Sequence, residues 1–528
     1  MKKIIQYVAA GLIVTTLAGC TGNGSDSTLK DQKGTSTSQS NLNPAGFPIV
    51  KDKITLRAVS MAQGGADWGK MEFFKKLEEQ TNIHVEFEII DSSNPEKINL
   101  MFASRDFPDL IFNGPNDSQV MQASTGGDII PLDELIAKYA PNWTKGMNQN
   151  PYIKKIATMS DGKIYGLPFV KISEVETGIR DQIVINTAWL SELGLKKPKT
   201  TEEFYQVLKA FKDNAGKGTI PKNVIPWYFR FNEFVGGQLD IFGSFGVYAQ
   251  NNDFLDVRGG KVSYEAMNPA IKEPIKYLQR LYKEGLIPTE VFTDDNNTYL
   301  AKTRSNPPVA GVYGGFYNTI PQLYEPMAPL KSQVVEKPLF RRQLPVVTRN
   351  KFMITKSNKH PEASMRWIDA LADADWSVQG QHGMFGKYLE KQPDGKIKQT
   401  DVPADKIFLE APSNAMALLG TEDIYNGMIY AGIPKGRADA IKEYYKDYTV
   451  PVDRIYPPVI FTPQQLEKLK SLETDIKGFV SQSMARWITE GGVDAGWDAY
   501  IQKLKEMKVD ELIQIRQEAL DAFNKSGN

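Results

Sequence analysis

Cysteine is all but missing from this sequence. Of 528 residues one is cysteine, Cys20, and three are histidine: His84, His360 and His382. A lone cysteine closes no intrachain disulfide and builds no Cys-rich zinc centre. Three scattered histidines make a His-rich metal site a poor reading too, so no metal or cofactor is expected. Excess charge is missing as well, because 63 lysines and arginines balance 63 aspartates and glutamates. A general nucleic-acid binder shows a basic surplus, and that class is set aside. No Gly-x-Ser-x-Gly, His-Glu-x-x-His or Walker phosphate loop occurs. No tandem repeat is visible, and past the first twenty residues no apolar run reaches the ~18 residues of a membrane-spanning helix. What remains is a globular composition: 41% apolar, 10% aromatic and 24% charged. At ~150 residues per domain the length suggests three or four domains, or two large lobes.

The chain opens MKKIIQYVAAGLIVTTLAGC. Lys2 and Lys3 precede a mostly apolar stretch, Ile4 to Leu17, that is too short for a bilayer span of ~20 residues. Small residues follow, the pattern of a secretory signal over 1–19. Leu17-Ala18-Gly19-Cys20 resembles a bacterial lipobox, in which the cysteine sulfur carries the lipid. A plain signal peptide with a chance cysteine is the alternative. The chain's single cysteine stands at the one place where acylation needs it, and a lipid anchor holds a protein at the extracellular face of the cell membrane. Gly, Ser, Thr and Asn dominate the next segment, so residues 20–49 read as a lipidated flexible tether.

The body alternates strands and helices. Ile54 to Val59 predicts a strand, Phe73, Phe74 and Leu77 the buried face of a helix, and His84 to Ile90 a second strand with period two. A helix is expected near Glu96 to Ala103 and a short buried strand at Asp109 to Phe112. Further strands and helices follow: an extended Gly178 to Asn186, a helix Glu202 to Lys212 capped by Thr200 or Thr201, and another from Pro269 to Glu284. The C-terminal part, Thr462 to Thr489 and Ala499 to Phe523, is strongly helical. Such alternation means βαβ units and largely parallel sheets, whose ligands gather at the carboxyl ends of strands.

Asp161-Gly-Lys-Ile-Tyr-Gly-Leu-Pro168, then Ile185-Asn186, Ala188-Trp189-Leu190 and Leu193-Gly194-Leu195, resembles the extracellular solute-binding proteins of carbohydrate ABC importers. Phe73 to Glu79, Leu100 to Ser104 with Pro108-Asp109, Ile130 to Asp133 and Leu281 to Leu286 extend the likeness. So do Ile354 to Glu362, Tyr430 to Pro434 and Tyr456 to Pro463. More narrowly, the chain looks like the long LplA-like lipoprotein subgroup of Gram-positive bacteria. The resemblance implies an α/β type II periplasmic-binding-protein fold of two lobes joined by hinge crossovers. It places lobe 1 at 50–170 and 351–452, and lobe 2 at 171–350 and 453–528, with hinges near Val170 to Gly178, Val346 to Asn350 and Val452. It implies a monomer that captures an oligosaccharide between the lobes. The partner would be a membrane permease coupled to an ATPase, both separate chains.

A saccharide cleft needs flat apolar faces for sugar C–H groups and planar polar groups for hydroxyls. Tyr313-Gly-Gly-Phe316-Tyr317 fits, since glycines between aromatics let the backbone come close. The same stretch aligns with a loop of stacking aromatics in maltose-binding relatives, while ordinary core packing is the alternative. Five aromatics crowd between Trp227 and Phe234, too many to share one core. Trp227, Arg230 and Glu233 are the candidates there, with Phe229, Phe231 and Phe234 assigned to the core. Trp68 follows the first strand in a Gly-rich loop, and Asn113 and Asp117 follow the third. Glu176 and Arg180 flank the first hinge, where a charge meets either ligand or the other lobe. Trp143, Trp189, Trp367, Trp487 and Trp497 read as structural.

Two further expectations follow. A surface-anchored glycan hydrolase needs two carboxylates across a cleft, and among so many acids a pair can always be nominated, so it stays as the alternative. Many relatives of this type also carry an Asp-rich calcium loop after the helix that matches Glu202 to Lys212. Here Asp213-Asn-Ala-Gly-Lys217 offers one acidic ligand and puts an ammonium at the fifth position, so an empty loop is expected.

Overall fold

The computed structural model describes residues 41–62, 65–174, 178–233, 236–251, 253–400 and 407–525. The lipobox cysteine Cys20 lies outside them, as do Glu176 and Phe234. Strands in chain order are β1 (Ile54–Ala62), β2 (Ile83–Asp91), β3 (Leu110–Ile111), β4 (Leu167–Lys171), β5 (Gln182–Asn186), β6 (Ile225–Tyr228), β7 (Leu255–Arg258) and β8 (Lys261–Tyr264). There follow β9 (Ala310–Gly315), β10 (Tyr324–Pro326), β11 (Val346–Ile354), β12 (Leu389–Lys391), β13 (Ile397–Gln399), β14 (Leu419–Gly420) and β15 (Met428–Ile429).

A six-stranded sheet, ordered β14-β4-β11-β3-β1-β2, forms the first lobe, and a four-stranded sheet, ordered β10-β5-β9-β6, the second. β1 and β2 run parallel from Ile54 opposite Ile83 to Ala62 opposite Asp91. The helix between them, Glu72–Thr81, turns Phe73, Phe74 and Leu77 onto the sheet and stops at Asn82, whose φ of 60° ends the helical ladder. In the second lobe the helix Thr201–Asp213 begins with a capping box: Thr200 accepts from the Glu203 N–H, and the Glu203 carboxylate accepts from the Thr200 N–H. Phe204, Val207, Leu208 and Phe211 bury one face of it. The long helix Pro463–Glu490 is capped likewise by Thr462 and Gln465 and joins the second lobe's core through Leu469, Ile476, Val480 and Met484.

Three sequence expectations change. The strand expected from Gly178 starts only at Gln182, because the Arg180 N–H turns away to the Arg341 carbonyl, 3.3 Å off. The second of the two C-terminal helical stretches, expected over Ala499 to Phe523, is divided between two helices, Val493–Glu506 and Val509–Lys525, with a break where Lys508 adopts a φ of 63°. The stretch expected to stay with the first lobe up to Val452 leaves it earlier. From Gly432 the chain forms a helix with a π turn, Ile441–Tyr445, and packs on the second lobe. Tyr445 stacks on Phe340 at 4.5 Å, and its hydroxyl accepts from the Ile183 N–H at 3.0 Å.

β4 and β11 carry two crossovers side by side. Val346, Val347 and Thr348 lie opposite Lys171, Val170 and Phe169 in an antiparallel ladder that slips between Thr348 and Phe352. The carboxyl ends of β1, β3 and β4 therefore lie at the edge from which the chain leaves for the second sheet. Gly315, at the carboxyl end of β9, lies opposite Gln182, the first residue of β5. Both sets of strand ends flank the crossovers, where ligands of such sheets collect.

Candidate functional site

On the first lobe, β1 ends at Ser60–Ala62 and β3 runs into Asn113. Asn113 Nδ2 donates to the Met61 carbonyl at 2.8 Å, and its Oδ1 accepts from the Lys351 ammonium. Burial pushes that ammonium down to about 8. Asp117 is committed to the chain: its Oδ2 accepts from Arg349 at 2.6 Å and its Oδ1 from Asn350 at 2.8 Å. Trp68, expected in the cleft, is 1% exposed. A short 3-10 turn folds it back beneath Phe74, Phe87 and Phe112, at 5.3, 5.2 and 6.0 Å between ring centres. Its indole is a core ring, because aromatics from the neighbouring helix, from β2 and from the end of β3 close over it.

On the second lobe, Trp227 and Tyr313 are also core rings. Trp227 packs on Phe204 at 5.4 Å and on Phe229 at 4.8 Å; Tyr313 meets Tyr324 edge-on at 5.0 Å. Phe229 is buried, as expected, and Phe231 packs half-buried on Phe292. The first of the two glycines after Tyr313 has a physical reason. Tyr299 Oη donates to the Gly314 carbonyl at 2.6 Å, and a Cβ on Gly314 would stand 3.3 Å from Gly236 Cα. The strand then delivers Phe316 and Tyr317, half-buried and edge-to-face at 4.6 Å, to the strand end. Arg437, which sequence reasoning missed, lies 3.8 Å over the Phe316 ring. Its Nη1 donates to the Phe316 carbonyl at 2.6 Å and its Nη2 to the Ile179 carbonyl at 2.7 Å. Only its position in a helix that crosses to the second lobe reveals it.

A buried charge cluster underlies this wall. Arg341 grips Asp240 with two N–H groups, at 2.6 and 2.8 Å, and reaches Asp181 at 3.4 Å. Burial works against the Arg341 charge, but Asp240 outweighs it and holds the guanidinium above its ordinary value. Arg180 stands 3.9 Å from Asp181; burial pulls it down to about 10, against the attraction of Asp181. Burial pushes the Asp181 carboxyl up, while the Gly236 N–H donates to it at 3.0 Å. Arg230 is buried, lies 3.6 Å from the exposed Glu233 carboxylate and sits 5.5 Å from the Tyr299 ring centre. Of the sequence candidates, then, Phe316 and Tyr317 reach a partly open surface, Glu233 is exposed, and Asn113 borders the facing strand ends. Glu176 is not among the described residues.

Two other places bear on the expectations. A cavity of about 640 Å³ is lined by Lys155, Arg349, Ile460 and Phe523 among others; none of the candidates lines it. In the loop after Asp213, Lys217 Nζ donates to the Asp213 carbonyl at 3.2 Å and to Asn214 Oδ1 at 3.3 Å. Glu192 closes the far side by accepting from the Thr219 N–H at 3.1 Å.

Two α/β sheets joined by paired crossovers, with aromatic and polar groups at the facing strand ends, fit a receptor for a solute. The chain belongs to the bacterial extracellular solute-binding protein family, whose model matches residues 65–377. That membership sets the hydrolase alternative aside. Similar to this chain is FusA of Streptococcus pneumoniae, a fructooligosaccharide ABC transporter substrate-binding protein, 30% identical over 544 residues and 98% of each chain. The structure of FusA with kestose superposes with a TM-score of 0.76 at 29% identity, over 89% of this chain and 99% of that one. A polygalacturonan/rhamnogalacturonan-binding protein of Bacillus subtilis, YtcQ, is 27% identical over 285 residues, 54% of this chain and 51% of that one.

Proposed function

We propose that this protein is the lipid-anchored receptor of an ABC importer, and that it captures a fructose-containing oligosaccharide between its lobes for delivery to a permease. The observation that carries the reading is the 30% identity to a fructooligosaccharide receptor along 98% of both chains. The lipobox at Cys20 supports the anchor, and a monomer suffices for the task. Phe316 and Tyr317 supply the apolar faces for the sugar. Asn113, Arg180, Arg230 and Glu233 supply polar groups near it, and Glu176 is a further candidate from the sequence. Capture by closure brings the two walls together about the crossovers.

Calorimetry tests the reading with 1-kestose, nystose and trigalacturonic acid. Saturable binding of the fructose oligomers, recovered intact after prolonged incubation, is expected. Binding of the galacturonide alone would replace the fructan assignment, and cleavage products would replace the receptor assignment.

A further inference from the structure

Among the described residues Lys351 forms no ion pair with a carboxylate. The residue is 9% exposed, and among the described residues its hydrogen bond goes to a neutral acceptor, Asn113 Oδ1. A buried ammonium without a counterion is disfavoured, which is why its proton is held so loosely. Phe352, Met353 and Ile354 follow it, all fully buried. A lysine opening such an apolar run needs a reason.

The local backbone is built to aim it. The β4–β11 ladder slips between Thr348 and Phe352, and Asn350, inside the slip, holds a φ of 61°. Asparagine tolerates that region better than other side chains. Asp117 clamps the irregularity by accepting from both Arg349 and Asn350. An irregularity of this kind redirects the side chains around it and is common beside binding sites. Here it directs the Lys351 ammonium to Asn113, which is itself tied to the Met61 carbonyl. The group thus stands where β1 and β3 end, at the edge that faces the second lobe.

We propose that Lys351 is a ligand-contacting residue of the first lobe. One N–H anchors it to Asn113, and the other two donate to oxygen atoms of the captured saccharide. Asn113 and Asp117 are positioning residues for it, Asn113 by direct contact and Asp117 through the backbone. The proposal rests on the cleft reading above. The shared chemistry is a pair of oxygen acceptors, either neighbouring hydroxyls of a neutral sugar or the carboxylate of an acidic one.

The test compares the full mature chain with its Lys351→Met variant, using 1-kestose and trigalacturonic acid in separate titrations. The variant is expected to lose at least about tenfold in affinity for whichever sugar the native protein binds. Its Tm is expected to stay level or rise, since the buried charge is gone. Affinity within about twofold of native overturns the proposal. Loss of kestose affinity marks the hydroxyl source, and loss of galacturonide affinity the carboxylate source. Should the variant fail to fold, a crystal structure of the native complex decides. A sugar oxygen within about 3.2 Å of Lys351 Nζ supports the contact, and a nearest sugar atom farther than about 4.5 Å overturns it. A native protein that takes neither sugar overturns the saccharide assignments above, and Lys351 is then judged by the same distance in the complex with the best ligand of a glycan array.

Discussion

The Arg437 guanidinium lies 3.8 Å from the centre of the Phe316 ring and donates to the carbonyl of the same residue. One side chain thereby fixes both the face of an aromatic ring and the backbone that carries it. The planar fork suits this double duty, and a lysine ammonium does not. Arg437→Lys is therefore expected to keep the fold and to weaken oligosaccharide binding by roughly tenfold, about 1.4 kcal/mol. Titration calorimetry beside a thermal melt checks it; native affinity in the variant would show that the ring needs no such support.

Trp68 and Tyr317 should part company. Trp68 is sealed among three phenylalanine rings, so Trp68→Ala is expected to cost about 3–5 kcal/mol of stability. The molecules that still fold should bind sugar normally. Tyr317 is half-buried at a strand end, so Tyr317→Ala should lower sugar affinity by roughly 2–4 kcal/mol if the ring is a hot spot, with little change in Tm. Urea melts and titrations on both variants would expose the opposite pattern at once.

That contrast shows what the sequence could and could not convey. Period and capping residues made β1, β2 and the helix Thr201–Asp213 readable, because those signals are local. Trp68 was misplaced because the glycines around it look like a loop, while the rings that bury it arrive from β2 and from the end of β3. Lys508, which breaks the last helix, is neither glycine nor proline and gives no local warning. Arg437 was invisible for another reason: its partners, Phe316 and Ile179, lie more than a hundred residues away. Lys351 did leave a trace, since the polar run Thr348-Arg349-Asn350-Lys351 interrupts an apolar strand. Reading it required the register slip.

Asp369 makes stability depend on pH. Its carboxylate accepts from the backbone N–H groups of Trp143 and Asn142, at 3.0 and 3.3 Å. Burial nevertheless pushes it up to about 6, outweighing those bonds and the pull of Arg366. The unfolded value is ~3.9, so the folded state holds the proton more tightly. This group's contribution therefore declines as pH rises from about 4 to about 6 and is flat beyond. Removing it in Asp369→Asn should change the stability gap between variant and native protein by about 1 kcal/mol between pH 5 and pH 7. Urea unfolding at the two pH values reads this directly, and an unchanged gap would refute the assignment.

Cys20→Ala should release the protein into the medium or leave an uncleaved precursor. Fractionation with and without detergent distinguishes these from continued membrane retention, which would count against acylation at that sulfur.

Calcium should leave the melting temperature unchanged. Lys217 occupies the loop after Asp213 with its own charge, and Ala215 brings no oxygen donor from its side chain. A rise of several degrees with micromolar calcium, reversed by a chelator and abolished by Asp213→Ala, would overturn this.

An ammonium at the end of a side chain has no dissociation constant. It is present at full occupancy however dilute the surroundings, and no competing chelator can strip it away. The positive charge that steadies this turn is thus written into the gene instead of being drawn from the medium. A receptor working outside the cell is thereby expected to keep the same second lobe in calcium-poor and calcium-rich fluid alike.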